Sequence, residues 1–223
     1  MIREDAVEEE ARWVLEARHG DRRAFGHLVE HYQRPVYNLA YRMLGTSAEA
    51  EDAAQEAFLR AFRALGAYDP ERSFSTWLLS IAAHYCIDRL RRRRLDAVSL
   101  DALPPWRQPA ARIESPERAA ARAIEADRIQ ILLDALPEDY RLVIVLRYWH
   151  DLGYEEIAEL MQESISAIKS RLHRARRQLA EAITAQPGPD ASGRPSADRE
   201  GEPAGAHSGG ISTCRATTTF LTR

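Results

Sequence analysis

Apolar side chains recur at three- and four-residue steps as far as about residue 184, and no stretch sustains the alternation of a half-buried strand. The pattern predicts an all-α fold of two small helical domains joined by a flexible linker. Its clearest segment is Ala50, Ala53, Ala54, Ala57, Phe58, Ala61, Phe62 and Leu65, preceded by Thr46 and Glu49 at the spacing of a capping box. Upstream, Phe25, Leu28, Val29 and Tyr32 mark a helix that Pro35 is expected to interrupt or restart; Val36, Leu39, Ala40, Met43 and Leu44 carry the pattern on to Gly45. Downstream, a turn from Tyr68 to Arg72 precedes Phe74, Trp77, Leu78, Ile81, Ala82 and Tyr85 on one helical face, which leads into a run of arginines where cations suit the helix dipole. Residues 21–94 therefore read as one helical domain, with 1–20 as an acidic N-terminal helical extension.

Pro104, Pro105, Pro109 and Pro116 then crowd a stretch that no helix tolerates, so 95–118 is expected to be a Pro-containing linker. Helical spacing returns with Ile124, Ile129, Leu132 and Leu133. It returns again after Pro137, a residue suited to a helix's first turn, through Leu142, Val143, Leu146 and Tyr148 to Gly153, which is expected to close that helix. Tyr154, Ile157, Ala158 and Met161 then face one way on a short helix, Gln162 to Ser164 form a turn with Ser164 as N-cap, and Ile165, Ile168, Leu172, Ala175 and Leu179 form the inward stripe of the next helix. A helix-turn-helix within a second domain, 119–184, is the expectation. From 185 to 223 the chain is rich in Gly, Pro, Ser and Thr with Phe220 as its one aromatic; burial cannot offset ordering entropy there, and disorder is expected.

Composition narrows the classes. The longest aliphatic run, Leu142 to Leu146, is far short of the roughly 20 residues that span a bilayer, and the N-terminal residues are acidic where a signal peptide is basic, so no membrane insertion is expected. Only Cys86 and Cys214 are present, in no metal-binding or disulfide arrangement, which points to the cytoplasm. The histidines never fall into a metal-ligand pattern, and no nucleophile elbow or glycine-rich phosphate loop occurs. Neither catalysis nor a cofactor is expected.

The net charge of -3 conceals a strong segregation of charge. Acid dominates the start of the chain, whereas base gathers at Arg89 and Arg91 to Arg94, and again at Lys169, Arg171, Arg174, Arg176 and Arg177. Two basic elements suit a polyanion gripped at two points. On the second helix of the helix-turn-helix, Lys169, His173 and Arg176 form one outward row and Ser170, Arg174 and Arg177 the next, a surface fitted to a DNA major groove or, in the blander reading, to solvent. Phe74 and Trp77 beside the first arginine run offer stacking platforms for single-stranded DNA, although a tryptophan on an apolar stripe serves equally as core. Asp52, Gln55, Glu56 and Leu59 repeat at helical spacing away from the apolar stripe, and as a bare pattern this is a solvated acidic face.

These motifs, in this order, resemble the extracytoplasmic-function (ECF) group of sigma factors, promoter-specificity subunits of bacterial RNA polymerase, over roughly residues 21–184. The segment Ala50 to Leu59 is similar to the family's polymerase-docking region, Phe74 to Arg92 to its minus-ten reading and melting segment, and Leu136 to Glu138 with Tyr154 to Arg176 to region four. The resemblance implies that Asp52, Gln55, Glu56 and Leu59 hold core RNA polymerase at its beta-prime clamp helices, region four also meeting the beta flap. It implies minus-ten contacts from Asp69, Arg72, Ser73, Phe74, Trp77, His84, Asp88, Arg89, Arg91 and Arg92, with the Asp69 to Ser73 loop and Phe74 pocketing a flipped base. Minus-thirty-five contacts would come from Ser166, Lys169, Ser170, Arg171, His173, Arg174, Arg176 and Arg177, and an anti-sigma factor is a further implied partner. The chain departs from the family's pattern at His84, where asparagine is usual, and at Gln162, where the turn usually carries glycine. An autonomous helix-turn-helix regulator would leave residues 47–94 unexplained, and an RNA-processing or deaminating enzyme would need a site that the sequence does not display.

Overall fold

The computed structural model describes residues 2–99 and 127–185; the expected linker beyond 99 and the expected disordered tail from 186 lie outside them. In chain order the elements are α1 (Ile2–Arg18), α2 (Arg22–Leu44), α3 (Ser47–Ala64) with a 3-10 turn at Leu65–Ala67, α4 (Phe74–Ser99), α5 (127–134), α6 (Glu138–Trp149), α7 (Tyr154–Met161) and α8 (Ile165–Ala185). Among the described residues there is no strand. No described helix is long and apolar enough to cross a membrane.

Local chemistry sets most of the boundaries. Asp21 caps α2 by accepting the Arg23 N–H at 2.7 Å, and Gly45, at φ 87°, ends it in the left-handed region that a residue without Cβ enters freely. Pro35 neither interrupts nor restarts this helix, contrary to the sequence expectation. A proline forfeits one intrahelical bond, and burial of Tyr32, Val36, Leu39 and Ala40 on both sides of it outweighs that loss. Thr46 caps α3 through the Glu49 N–H at 3.3 Å, but the Glu49 carboxylate, instead of closing a capping box, meets the Thr46 hydroxyl at 3.1 Å and Arg93 of α4 at 3.1 Å. The box is therefore half formed, its acid diverted to a tertiary partner.

Two further boundaries differ from expectation. Residues 95–99 continue α4 rather than starting a linker. The arginine run that precedes them is neutralised from neighbouring helices: Arg91 by Asp139 at 3.7 Å, Arg93 by Glu49 and Arg94 by Glu138 at 3.4 Å, so like charges do not fray the helix. Gly153 does not close α6, which stops at Trp149; it opens α7, its N–H donating to Glu156 Oε2 at 2.7 Å. Between them the chain turns through Asp151 at φ 52°, and Arg147 clamps the Leu152 carbonyl at 2.9 Å.

Leu28, Leu39 and Met43 of α2 pack with Leu78 and Leu79 of α4, while Ala50, Ala53, Ala57 and Ala61 bring α3 close alongside. The same apolar core continues into the second half through Leu133, Leu142, Leu146, Ile157, Ile168 and Leu172. The halves meet where α6 packs on α2 and α7 on α4. At that seam Gln130, fully buried, donates to the Arg42 carbonyl at 3.1 Å, and Arg141, 6% exposed, donates to the Met43 carbonyl while pairing with Asp134 at 3.0 Å. These carbonyls belong to the last turn of α2, where intrahelical partners run out.

Candidate nucleic-acid and polymerase interface

Three surfaces carry the residues that the sequence singles out. On α3, Asp52 and Gln55 are exposed and Leu59 is 51% exposed, an apolar side chain left in solvent among polar ones. Glu56 on the same face pairs with Arg60 at 2.8 Å, and the Arg60 guanidinium lies 4.8 Å from the centre of the Tyr85 ring. That contact ties the face of α3 to α4.

The second surface surrounds the start of α4. Its loop is held by its own groups: Asp69 accepts the Glu71 N–H at 3.1 Å, the Tyr68 hydroxyl donates to the Arg72 carbonyl, and Ser73 Oγ accepts the Thr76 N–H at 3.3 Å. Phe74 is 3% exposed, with its ring centre 5.5 Å from those of Tyr32, Tyr68 and Trp77. It supplies the floor of an aromatic cluster rather than an open stacking face, because the apolar residues around it exclude a base. Trp77, half-buried, is the ring that borders open space, in a cavity of about 270 Å³ lined by Arg72, Ser73, Thr76, Ser80 and His84 of this half. Glu159 and Leu160 of α7 and Gln162 of the turn after it line its other side, and Arg72 pairs with Glu159 at 3.3 Å.

Thr76 and Ser80 line this candidate site, and sequence reasoning passed over both. The signal was present: Thr76, Ser80, His84 and Asp88 fall at four-residue intervals, one polar row beside the apolar stripe. Farther along, Asp88, Arg89, Arg92 and Arg93 line a groove with Arg60 and Tyr85. Arg89 lies 3.8 Å from Glu49, and its hydrogen bond to the Tyr85 hydroxyl, with the charge of Glu49 beyond it, raises an already high pKa. Arg91 is drawn off toward Glu138 and Asp139.

The third surface is α8. Ser164 caps it, accepting the Ala167 N–H at 3.2 Å, and Gln162 turns the chain at φ 56° where glycine would enter without strain. Ile168, Leu172 and Ala175 are buried, which leaves Ser166, Lys169, Ser170, His173, Arg174, Arg176 and Arg177 exposed on the outer face. Arg171 stands apart from that group, half-buried and paired with Glu163 at 2.7 Å, so that it braces the turn. No group of side chains that could hold a metal ion occurs among the described residues.

Comparison with known proteins gives this arrangement a family. Sigma-70 region 2 matches residues 28–95 and Sigma-70 region 4 matches 126–179. The ECF RNA polymerase sigma factor SigW of Bacillus subtilis is 39% identical over 172 residues, covering 74% of this chain and 92% of that protein. Among solved structures, CnrH in complex with the cytosolic domain of CnrY is 27% identical with a TM-score of 0.61, over 80% of this chain and 99% of that one. The sigma factor RpoE of Bartonella quintana, in complex with the anti-sigma factor NepR, shares the fold at 21% identity with a TM-score of 0.58, over 73% and 98% of the two chains. The described architecture is thus that of the sigma-70 class, and within it the chain belongs to the ECF sigma factors. It is a non-enzymatic, promoter-specific subunit of RNA polymerase.

Proposed function

We propose that the three surfaces divide the work of initiation. Asp52, Gln55, Glu56 and Leu59 dock core RNA polymerase; the exposed half of Leu59 has no use within the fold and suits burial under a partner. The α4 surface, with Asp69, Arg72, Ser73, Trp77, His84, Asp88, Arg89, Arg91 and Arg92, takes the minus-ten element, with Phe74 as the floor beneath Trp77. On α8, Ser166, Lys169, Ser170, His173, Arg174, Arg176 and Arg177 read the minus-thirty-five element, while Arg171 fixes the angle of that helix. The working units are then 21–99 for docking and melting and 119–184 for upstream reading, both acting in the cytoplasm where the template lies. Because CnrH is held by the cytosolic domain of another protein, an anti-sigma factor bridging the halves is the partner we assign to regulation in a stress or envelope response.

The observation that carries the melting role is the cavity beside Trp77, an aromatic-walled recess next to Arg72 and a row of hydroxyls. A base leaving the duplex finds there a ring to stack on, worth about 1–3 kcal/mol, and a cation for its phosphate. Ser80→Phe fills the recess from a half-buried position. Holoenzyme carrying it is expected to bind core and closed promoter normally and to leave minus-ten thymines unreactive to permanganate. Normal thymine reactivity in a folded Ser80→Phe holoenzyme would remove the cavity from the mechanism.

A further inference from the structure

The inner wall of the cavity holds an anomaly. Thr76 is 6% exposed, and its hydroxyl oxygen has no hydrogen-bond partner among the described residues. Of the two upstream carbonyls that usually take a threonine hydroxyl, that of Ser73 already accepts the Trp77 N–H at 3.0 Å and that of Arg72 accepts the Tyr68 hydroxyl. Its neighbours are already engaged: the Ser80 hydroxyl donates to the Trp77 carbonyl at 2.7 Å, His84 Nδ1 lies 2.6 Å from the Ser80 carbonyl, and Ser73 Oγ holds the Thr76 N–H. Glu159, Leu160 and Gln162, which line the other side of the cavity, leave the hydroxyl unsatisfied as well. A buried hydroxyl with no partner destabilises a fold, and a site that retains one has a group waiting for a ligand.

We propose that Thr76 is a specificity-determining residue of the minus-ten pocket: its hydroxyl hydrogen-bonds the edge of the unpaired base that enters beside Trp77. The inference rests on the proposed minus-ten role of this cavity. Stacking on Trp77 accepts any base, since every base presents a π-face. Discrimination needs a directed polar group at a fixed depth, and a hydroxyl on the first turn of a capped helix, stiffened at χ1 by its β-methyl, provides one.

The test uses full-length chain assembled with core polymerase on forked promoters whose unpaired minus-ten bases are varied one at a time, each position also being made abasic. Thr76→Val keeps the shape and removes the hydroxyl; Thr76→Ser keeps the hydroxyl and removes the methyl. At one position the wild type should distinguish the four bases, and Thr76→Val should reduce that discrimination about tenfold while leaving other positions unchanged. Thr76→Ser should keep the order of preference. An unchanged profile for a folded Thr76→Val holoenzyme, or equal weakening on all four bases, overturns the role of Thr76 while the pocket stands. If no abasic substitution weakens wild-type binding, the pocket itself is wrong and Thr76 falls with it.

Discussion

His150, just past the end of α6, has its Nε2 buried without a hydrogen-bond partner among the described residues, and burial alone pushes its pKa down to about 4. The folded chain therefore resists a proton that the unfolded chain takes up near pH 6.5. Stability from this residue is complete above about pH 6.5 and falls as the pH drops toward 4, by up to about 1.4 kcal/mol per unit. Denaturant titrations at pH 7.5 and 5.0 should show the wild type losing more stability than His150→Gln; parallel losses would mean that the histidine is hydrated in solution. Two other buried groups keep their protons. Burial pushes the Cys86 thiol up to about 12, which makes it an inert core residue, and burial, reinforced by Glu10 of α1, raises the Tyr32 phenol far above its ordinary value.

At the scale of elements, the turn between α7 and α8 carries an identifiable strain. Gln162 sits at φ 56°, where its Cβ crowds the backbone, although its N–H still reaches the Glu159 carbonyl at 3.2 Å. Gln162→Gly should stabilise the second half by roughly 0.5–1 kcal/mol, the relief of strain exceeding the added entropy of the unfolded chain. Thermal melts check this directly: a lower Tm would show that contacts of the Gln162 side chain at the cavity mouth outweigh the strain. The helix-turn-helix thus tolerates a poor turn residue because Ser164, the Arg171–Glu163 pair and the buried Ile168 and Leu172 hold both helices by other means.

At the scale of the whole molecule, the two surfaces proposed to read DNA lie on halves that pack against each other. Promoter elements centred about 25 base pairs apart are separated by roughly 85 Å of duplex, whereas here α7 packs directly on α4. Arg72, assigned to the minus-ten strand, holds Glu159, and Arg91 holds Glu138 and Asp139, so acids of the second half occupy cations that DNA phosphates would take. On the proposed assignment, the halves part before both elements are read. Exposed pairs of this kind are each worth at most about 1 kcal/mol, whereas the buried Gln130 and Arg141 bonds to α2 carbonyls are the firmer latch. Glu159→Arg, which sets two guanidiniums face to face, should raise the affinity of the isolated chain for minus-ten single strand by about fivefold at low salt. Its radius of gyration in solution scattering should rise as well. No change in either measurement would mean that the α4–α7 contact does not limit access.

Much of this protein was legible in its sequence. Helical periodicity, the caps at Thr46 and Ser164, the helix-turn-helix and the outward basic rows of α8 depend on spacing along one chain, and spacing is written in the sequence. What escaped it depends on partners far away in sequence. Pro35 sits inside a helix because its neighbours Tyr32, Val36, Leu39 and Ala40 are buried in the tertiary core; α4 outlasts its arginine run because Glu49, Glu138 and Asp139 neutralise that run from other helices. Phe74 and Trp77 look alike as aromatic neighbours of arginine, and tertiary packing alone buries one ring and leaves the other at a cavity. The unsatisfied Thr76 hydroxyl is a fact of the same kind: a sequence names a donor, and only the assembled structure decides which groups come within reach of it.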